Sequence, residues 1–424
     1  MFHDLNHEEM RLVDEWNHEM RCRMDEEILR MRLIANRLLD ETPMVFRRSL
    51  GERIDWENRL ICLKGARGTG KTTLLQQYMK ERWGKDETAF YASFDHYWFK
   101  THSPMDFVEE IHQQGVRQLF VDEVHHVEHW QTVIKNIYDF YPKMSVVYSG
   151  SSLLKMDNQE GDLSRRQMSY ELKGLSFREF LAFEGKGDWP AVGFDELLRS
   201  HVELASDITS GISILPLFRK YLETGFYPFY KTEHSGFAQR LMAVVDKVLD
   251  SDWPSVEEVT PATIRKAKKM FSVLAESCPQ QPNMSALYRE LETDRNQGLK
   301  MLSALERAGL LAVVPSDKAT LKDLSRPEKI YCDNSNLMSA LVSRPDVGTV
   351  RETFFVNQLR GAGHHVRCAR DGDFKVDGEF VFEVGGRKKR FTQIKDLPQS
   401  YVVADDLECG TGNRIPLWLI GFMY

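Results

Sequence analysis

Apolar residues in the first 42 positions recur at three-and-four spacing: Met10, Leu12, Val13, Trp16, Met20, Met24, Ile28, Leu29, Met31, Leu33, Ile34 and Leu38. That period predicts one or two amphipathic helices, and Pro43 ends them. Arg59-Leu60-Ile61-Cys62-Leu63-Lys64 is then short and apolar enough for a buried strand. Strand-like runs recur at Thr88–Phe94, Gln118–Asp122 and Ser145–Tyr148, separated by helix-length spacers. Such alternation is the mark of a parallel α/β sheet.

From about 160 to 255 the pattern turns helical, with aromatic groups at Phe177, Phe180 and Phe183 and at Tyr221, Phe226, Tyr227, Phe229 and Tyr230. A helical lid is the expectation. Ile264–Ala275, Met284–Glu292 and Asn296–Ala308 read as three helices, closed by Gly309 and a strand over Leu310–Val314, the order of a winged helix. The remainder predicts one helix, Val350–Arg360, and short strands with a hairpin at Asp377-Gly378, a dipeptide suited to a type I′ turn. The expected divisions are therefore 1–44 helices, 45–160 sheet domain, 161–255 lid, 256–316 winged helix and 326–424 a small α/β end domain. No internal repeat is present.

Composition narrows the class. The chain has 424 residues, too many for one ordinary core, with 42% hydrophobic and 28% charged residues, so it neither collapses into low complexity nor lacks a core. Its net charge of -7 removes a global basic footprint, and nucleic-acid binding would need a local patch. No apolar run reaches the length of a membrane span, and the N-terminus lacks a signal-peptide pattern. Six scattered cysteines without a Cys-x-x-Cys fit a reducing compartment, and a cytoplasmic location is expected.

The strongest chemistry follows the first strand. Gly65-Ala66-Arg67-Gly68-Thr69-Gly70-Lys71-Thr72 fits G-x-x-x-x-G-K-[ST] at every fixed position and runs from a strand into a helix, the context this phosphate loop needs. Its amides and the helix N-terminus would face a triphosphate, with Thr73 completing the contacts. Lys71 would neutralise β- and γ-phosphate charge, and the Thr72 hydroxyl would bind Mg²⁺. About 50 residues on, Leu119-Phe120-Val121-Asp122-Glu123 is an apolar strand ending in two acids. Asp122 would hold Mg²⁺, and Glu123 would orient or deprotonate the attacking water. Ser149 or Ser151, after the next strand, is a candidate for sensing the γ-phosphate, and Arg165 or Arg166, with Arg166 preferred, for an arginine finger acting in a neighbouring subunit.

These two motifs, with Tyr148-Ser149-Gly150-Ser151-Ser152 and Leu175-Ser176-Phe177-Arg178-Glu179-Phe180, resemble the prokaryotic AAA-type ATPases that carry a C-terminal domain of uncharacterised function. Gly225-Phe226-Tyr227-Pro228 and Lys329-Ile330-Tyr331-Cys332-Asp333 fall where that family has comparable stretches. The resemblance spans nearly the whole chain after about residue 45. It implies an ATPase, a lid, a winged helix and an end domain similar to PD-(D/E)xK nucleases. Asp373 and Glu383 would be the two acids of such a nuclease, with Glu352 in support, but Gly385 stands where the pattern needs lysine. Lys388 arrives later, displaced along the chain, so an inactive nuclease-like module is expected.

Two weaker groups remain. His125 and His129, with His126 between them, stand at helical spacing but lack a further ligand for a tetrahedral metal. In the winged-helix region Arg289, Arg295, Lys300 and Arg307 are interleaved with acids, whereas Arg387-Lys388-Lys389-Arg390 is the best local patch for nucleic acid. The combined expectation is an ATP- and Mg²⁺-dependent ATPase that drives a switch on a protein or DNA partner, with oligomerisation possible. The alternative is a DNA-processing factor with a live nuclease.

Overall fold

The computed structural model describes residues 7–150, 163, 165–232, 235–255, 257–277, 283–317 and 328–424, with side chains from 24 onward. The chain divides into two compact units. Among the described residues no helix is long and apolar enough to cross a membrane.

The first unit, Met1–Lys64 with Lys71–Ser151 and Gln159–Glu171, is built on a parallel sheet. Strands β1 (Leu60–Lys64), β2 (Ala89–Ser93), β3 (Gln118–Asp122), β4 (Ser145–Ser149) and β5 (Met168–Glu171) lie in the order β2-β3-β4-β1-β5. All four pairings are parallel, with Leu60 beside Val146 and Ile61 beside Met168. The first four strands are buried on both faces, which is why they read as near-continuous apolar runs. β5 was not foreseen, and the sheet domain runs past the boundary expected at 160. It is four residues of mixed polarity at a sheet edge, mostly exposed, and so carries no hydrophobic signature.

The N-terminal apolar positions form one helix, His7–Glu41. Ile28, Met31, Ala35 and Leu39 are its buried stripe, one residue per turn. Arg32 lies over the Phe90 ring, and its guanidinium donates to Ala89 O at 3.2 Å, docking the helix along β2. Leu29, Leu33, Ile34 and Leu38 stay exposed, so the apolar content of this helix exceeds what the sheet covers.

The second unit gathers Gly65–Gly70 with everything from Leu172 onward, so the expected lid, winged-helix and end divisions share one compact body. A continuous core explains the merger. It holds Phe226, Leu241 and Trp253 from the lid region, Met270, Met301 and Leu305 from the next helices, and Ile330 and Met338 beyond them. Helices Pro261–Ser277, Met284–Glu290 and Arg295–Arg307 precede an antiparallel hairpin of β6 (Leu311–Val314) and β7 (Lys329–Cys332). Lys329–Cys332 thus pairs with Leu311–Val314 in a separate two-stranded sheet and is no part of the end sheet.

The end sheet has the order β12-β11-β10-β9-β8. Helix Val347–Gly361 leads into β8 (Val366–Cys368), β9 (Phe374–Val376) and β10 (Phe380–Gly385), an antiparallel meander. The crossover 386–399 then brings β11 (Ser400–Ala404) parallel to β10, and β12 (Arg414–Pro416) parallel to β11. Asp377 and Gly378 both have positive φ, at 51° and 75°, as a type I′ turn demands.

One buried amide fastens the helical part of this unit. Asn336, fully buried, accepts from Phe226 N at 2.8 Å and donates to Tyr221 O and Leu222 O at 3.0 Å each. It thereby satisfies backbone groups around the π turn Tyr221–Gly225 that the helix pattern leaves open. Asn336→Ala would strand those groups in the core and is expected to cost about 3 kcal/mol in chemical denaturation, with the m-value unchanged.

Candidate functional site

β1 ends at Lys64, and the chain turns through Gly65–Gly70 into the helix Lys71–Arg82. Only glycine serves at two corners of that turn. Gly65 has φ 152°, and a Cβ there would meet Leu172 O at 2.4 Å; Gly68 has φ 87°, and a Cβ would meet the Phe229 ring at 2.8 Å. Thr69 Oγ1 donates to Ala66 O at 2.9 Å, closing the loop on itself. Gly70, at φ 97°, passes the chain into the helix, whose opening residues are Lys71, Thr72 and Thr73. Lys71 is buried at the helix N-terminus, where backbone N–H groups and the dipole favour an anion.

Arg67 projects from the middle of the loop into a fork–fork pair with Asp252, Nε to Oδ2 at 3.3 Å and Nη2 to Oδ1 at 3.2 Å. Asp252 is 1% exposed and ends the π turn Val248–Asp252. Arg67 lies in the loop expected to hold phosphate, whereas Asp252 stands in no motif. Nothing local marks Asp252, because its value comes from a partner 185 positions away.

Across the sheet, the Asp122 carboxylate is 3% exposed at the end of β3. Thr72 Oγ1 donates to its Oδ2 at 2.6 Å, Tyr91 OH donates to the same oxygen at 3.0 Å, and Ser149 Oγ donates to Oδ1. The Glu123 amide adds a fourth donor at 3.2 Å. Burial, reinforced by the adjacent Asp122 charge, raises the Tyr91 phenol pKa, so it remains a neutral donor. Thr72 and Asp122 thus bracket one point with a hydroxyl and a carboxylate, hard oxygens that fit Mg²⁺. Ser149 binds this carboxylate from inside the sheet; Ser151 lies outside the described residues. Tyr91 was missed, its only signal being a polar atom on an otherwise apolar strand.

Glu123 follows in the left-handed region, φ 55° and ψ 43°, unusual for a residue with a side chain. Its Oε2 lies 3.4 Å from Nε2 of the buried His125. His125 and His129 do not share a helix face as their spacing predicts. Val124–His126 is a 3-10 turn, and His129 is a left-handed N-cap of the helix Trp130–Phe140, so the periodicity breaks between them. Arg166, the finger candidate, makes a two-point pair with Asp139, Nε at 3.1 Å and Nη2 at 3.3 Å, while Arg165 is exposed.

In the end sheet a lysine from outside the expected spacing reaches the two acids. Asp373 Oδ2 accepts from Val384 N at 2.8 Å, placing it beside Glu383. Lys389 Nζ, from the crossover, lies 3.4 Å from Asp373 Oδ2 and in direct contact with Glu383 Oε2. It is Lys389 and not Lys388 that reaches the acids, because the chain turns back after Gly385, with Lys389 N donating to Gly386 O at 2.8 Å. Glu352 turns elsewhere, to Lys329 Nζ at 3.0 Å and to the Tyr331 hydroxyl. The basic run is consequently reduced to Arg387, Lys388 and Arg390 as exposed charges.

Residues 57–181 match the family model of an AAA domain, and residues 215–347 match that of a domain of unknown function (DUF8612). A protein of Methanocaldococcus jannaschii described as uncharacterized is 24% identical over 288 residues, covering 65% of this chain. The chain spans 60% of that relative's length. Among solved structures, a replication initiator DnaA bound to AMPPCP and single-stranded DNA shares 17% identity at a TM-score of 0.26, over 59% of this chain and 83% of its own. AMPPCP-bound DnaA from Aquifex aeolicus shares 16% at a TM-score of 0.26, over 65% and 88%; C. elegans PCH-2 shares 14% at 0.23, over 67% of each chain. The residues that match the AAA domain model thus carry the phosphate-loop sequence and all five strands of the parallel sheet, an arrangement that supports nucleotide binding.

Glu383 is 1% exposed, and its carboxylate is matched by the Lys389 ammonium. Lys389→Ala should cost about 3 kcal/mol in urea denaturation, since removing one partner leaves a buried charge uncompensated. Lys389→Arg should recover part of that loss.

Proposed function

We propose that the chain binds ATP with Mg²⁺ in the 65–73 loop and hydrolyses it to ADP and phosphate, the cycle driving a conformational switch on a partner. The observation that carries this reading is the 2.6 Å hydrogen bond between Thr72 Oγ1 and Asp122 Oδ2. It brings the first hydroxyl after the phosphate loop next to the acid of the neighbouring motif, close enough for both to serve one metal.

The bound Mg²⁺ would supply charge neutralisation for the β- and γ-phosphates. Thr72 and Asp122 would hold it; Tyr91 and Ser149 keep the Asp122 carboxyl oriented. Lys71 supplies positive charge to the terminal phosphate, and the 65–70 amides supply fixed donors that need no reorganisation. Glu123 accepts a proton from, or orients, the attacking water. Arg166 would serve in a neighbouring subunit only after leaving Asp139.

A protein is the favoured partner. With Lys389 turned to the acids, the basic run offers three exposed charges, and net charge is -7, a poor electrostatic footprint for nucleic acid. We read the three helices and hairpin as a winged helix and the end sheet as nuclease-like. A second reading, a live nuclease, is favoured by one observation: Lys389 Nζ meets both Asp373 and Glu383. That would complete the acid, acid and lysine set by a route other than the motif spacing.

Glu123→Gln is expected to retain ATP while turnover falls at least about a hundredfold, and Lys71→Ala to abolish nucleotide binding. Unaltered turnover in Glu123→Gln would remove that residue from the mechanism. Stimulation of turnover by DNA, suppressed by salt, would move the partner from protein to DNA. Mg²⁺-dependent nicking of supercoiled DNA that vanishes in Asp373→Ala would establish the second reading, and intact DNA throughout would dismiss it.

A further inference from the structure

The turn after β3 carries a second donor set beside the first. Glu123 is held in the left-handed conformation, and the 3-10 turn Val124–His126 follows at once. One ligand atom from each of Glu123, His125 and His126 lies within 4.8 Å of the others. The two imidazole rings are 4.5 Å apart between centroids, tilted by 36°. Glu123 Oε2 to His125 Nε2 is 3.4 Å. A tetrahedral metal with arms of about 2.0–2.1 Å has edges of about 3.3–3.4 Å, so that pair already has the spacing of two zinc ligands. On the other side, Asp95 Oδ1 lies 3.4 Å from His126 Nδ1. A carboxylate in that position fixes the tautomer and orientation of a ligating histidine.

The chemistry of this set differs from that of Thr72 and Asp122. Mg²⁺ takes oxygen donors and keeps its waters, whereas two imidazoles and one carboxylate select zinc and its first-row neighbours, leaving a fourth position open. We propose that Glu123, His125 and His126 form a binding site for a divalent transition metal, zinc foremost, separate from the Mg²⁺ site. A metal held there occupies the Glu123 carboxylate that would otherwise orient water. Zinc therefore stops ATP turnover while nucleotide stays bound. The metal site stands on geometry alone; its effect on turnover rests on the reading of Glu123 given above.

The test uses the full chain, stripped by a chelator and titrated with Co²⁺. Tetrahedral d–d absorption is expected at one equivalent, displaced by Zn²⁺ and not by excess Mg²⁺. His125→Ala and His126→Ala should each weaken Co²⁺ binding at least about tenfold. With saturating Mg²⁺ and ATP, Zn²⁺ should inhibit turnover of the wild type and spare His126→Ala, without releasing a fluorescent ATP analogue. Absence of the d–d bands, or bands that persist in both histidine variants, would overturn the site. Bound Co²⁺ with turnover indifferent to Zn²⁺ would overturn the inhibition. Cobalt binding in a chain that never hydrolyses ATP would sink the ATPase reading and leave the metal site standing.

Discussion

A buried carboxylate is costly unless hydrogen bonds surround it, and Asp122 is surrounded: Thr72, Tyr91 and Ser149 offer hydroxyls, and Glu123 an amide. Each donor comes from a different place in the fold: the helix after the phosphate loop, β2, β4 and the turn that ends β3. The parallel order puts β2 and β4 on either side of β3, which is why two of these hydroxyls arrive without any loop being bent to deliver them. The sheet and the placement of this carboxylate are therefore one arrangement. Any shift of the β3 end would break several bonds to the same two oxygens.

How far this was readable from sequence depended on whether the signal was local. The phosphate loop was, since glycines at fixed positions between a strand and a helix report backbone geometry directly. So were β1 to β4, which are buried on both faces and cannot hide their hydrophobicity. β5 was not, because an exposed edge strand with the sequence Met-Ser-Tyr-Glu needs no apolar pattern to pair. Tyr91 was absorbed into an apolar run whose outline it did not alter. Asp252 and Lys389 were invisible for a stronger reason: each acts on a group brought near only by tertiary structure, and neither has a motif.

The sharing of one core by the later segments was hidden for a related cause. Helical patterning locates helices but does not say which of them share a core. Phe226 and Tyr227 read as lid aromatics, yet they pack with Leu305 and Ile330 in a core that continues through the three helices and the hairpin. Asn334 and Asn336 reinforce the same join by bonding Tyr227 OH and Phe226 N. The two stretches noted separately, 225–228 and 329–333, are thus neighbours, and their distance in sequence concealed a single packing unit.

The fork between Arg67 and Asp252 has a thermodynamic corollary. A glycine-rich loop left to itself samples many shapes, and a ligand that selects one of them forfeits affinity to the ordering. Here a guanidinium in the middle of the loop is tied at two points to an acid in the protein interior, and Phe229 leaves no room above Gly68. The cradle is preorganised, so the entropy of shaping it is settled during folding and need not be charged to the ligand when it arrives.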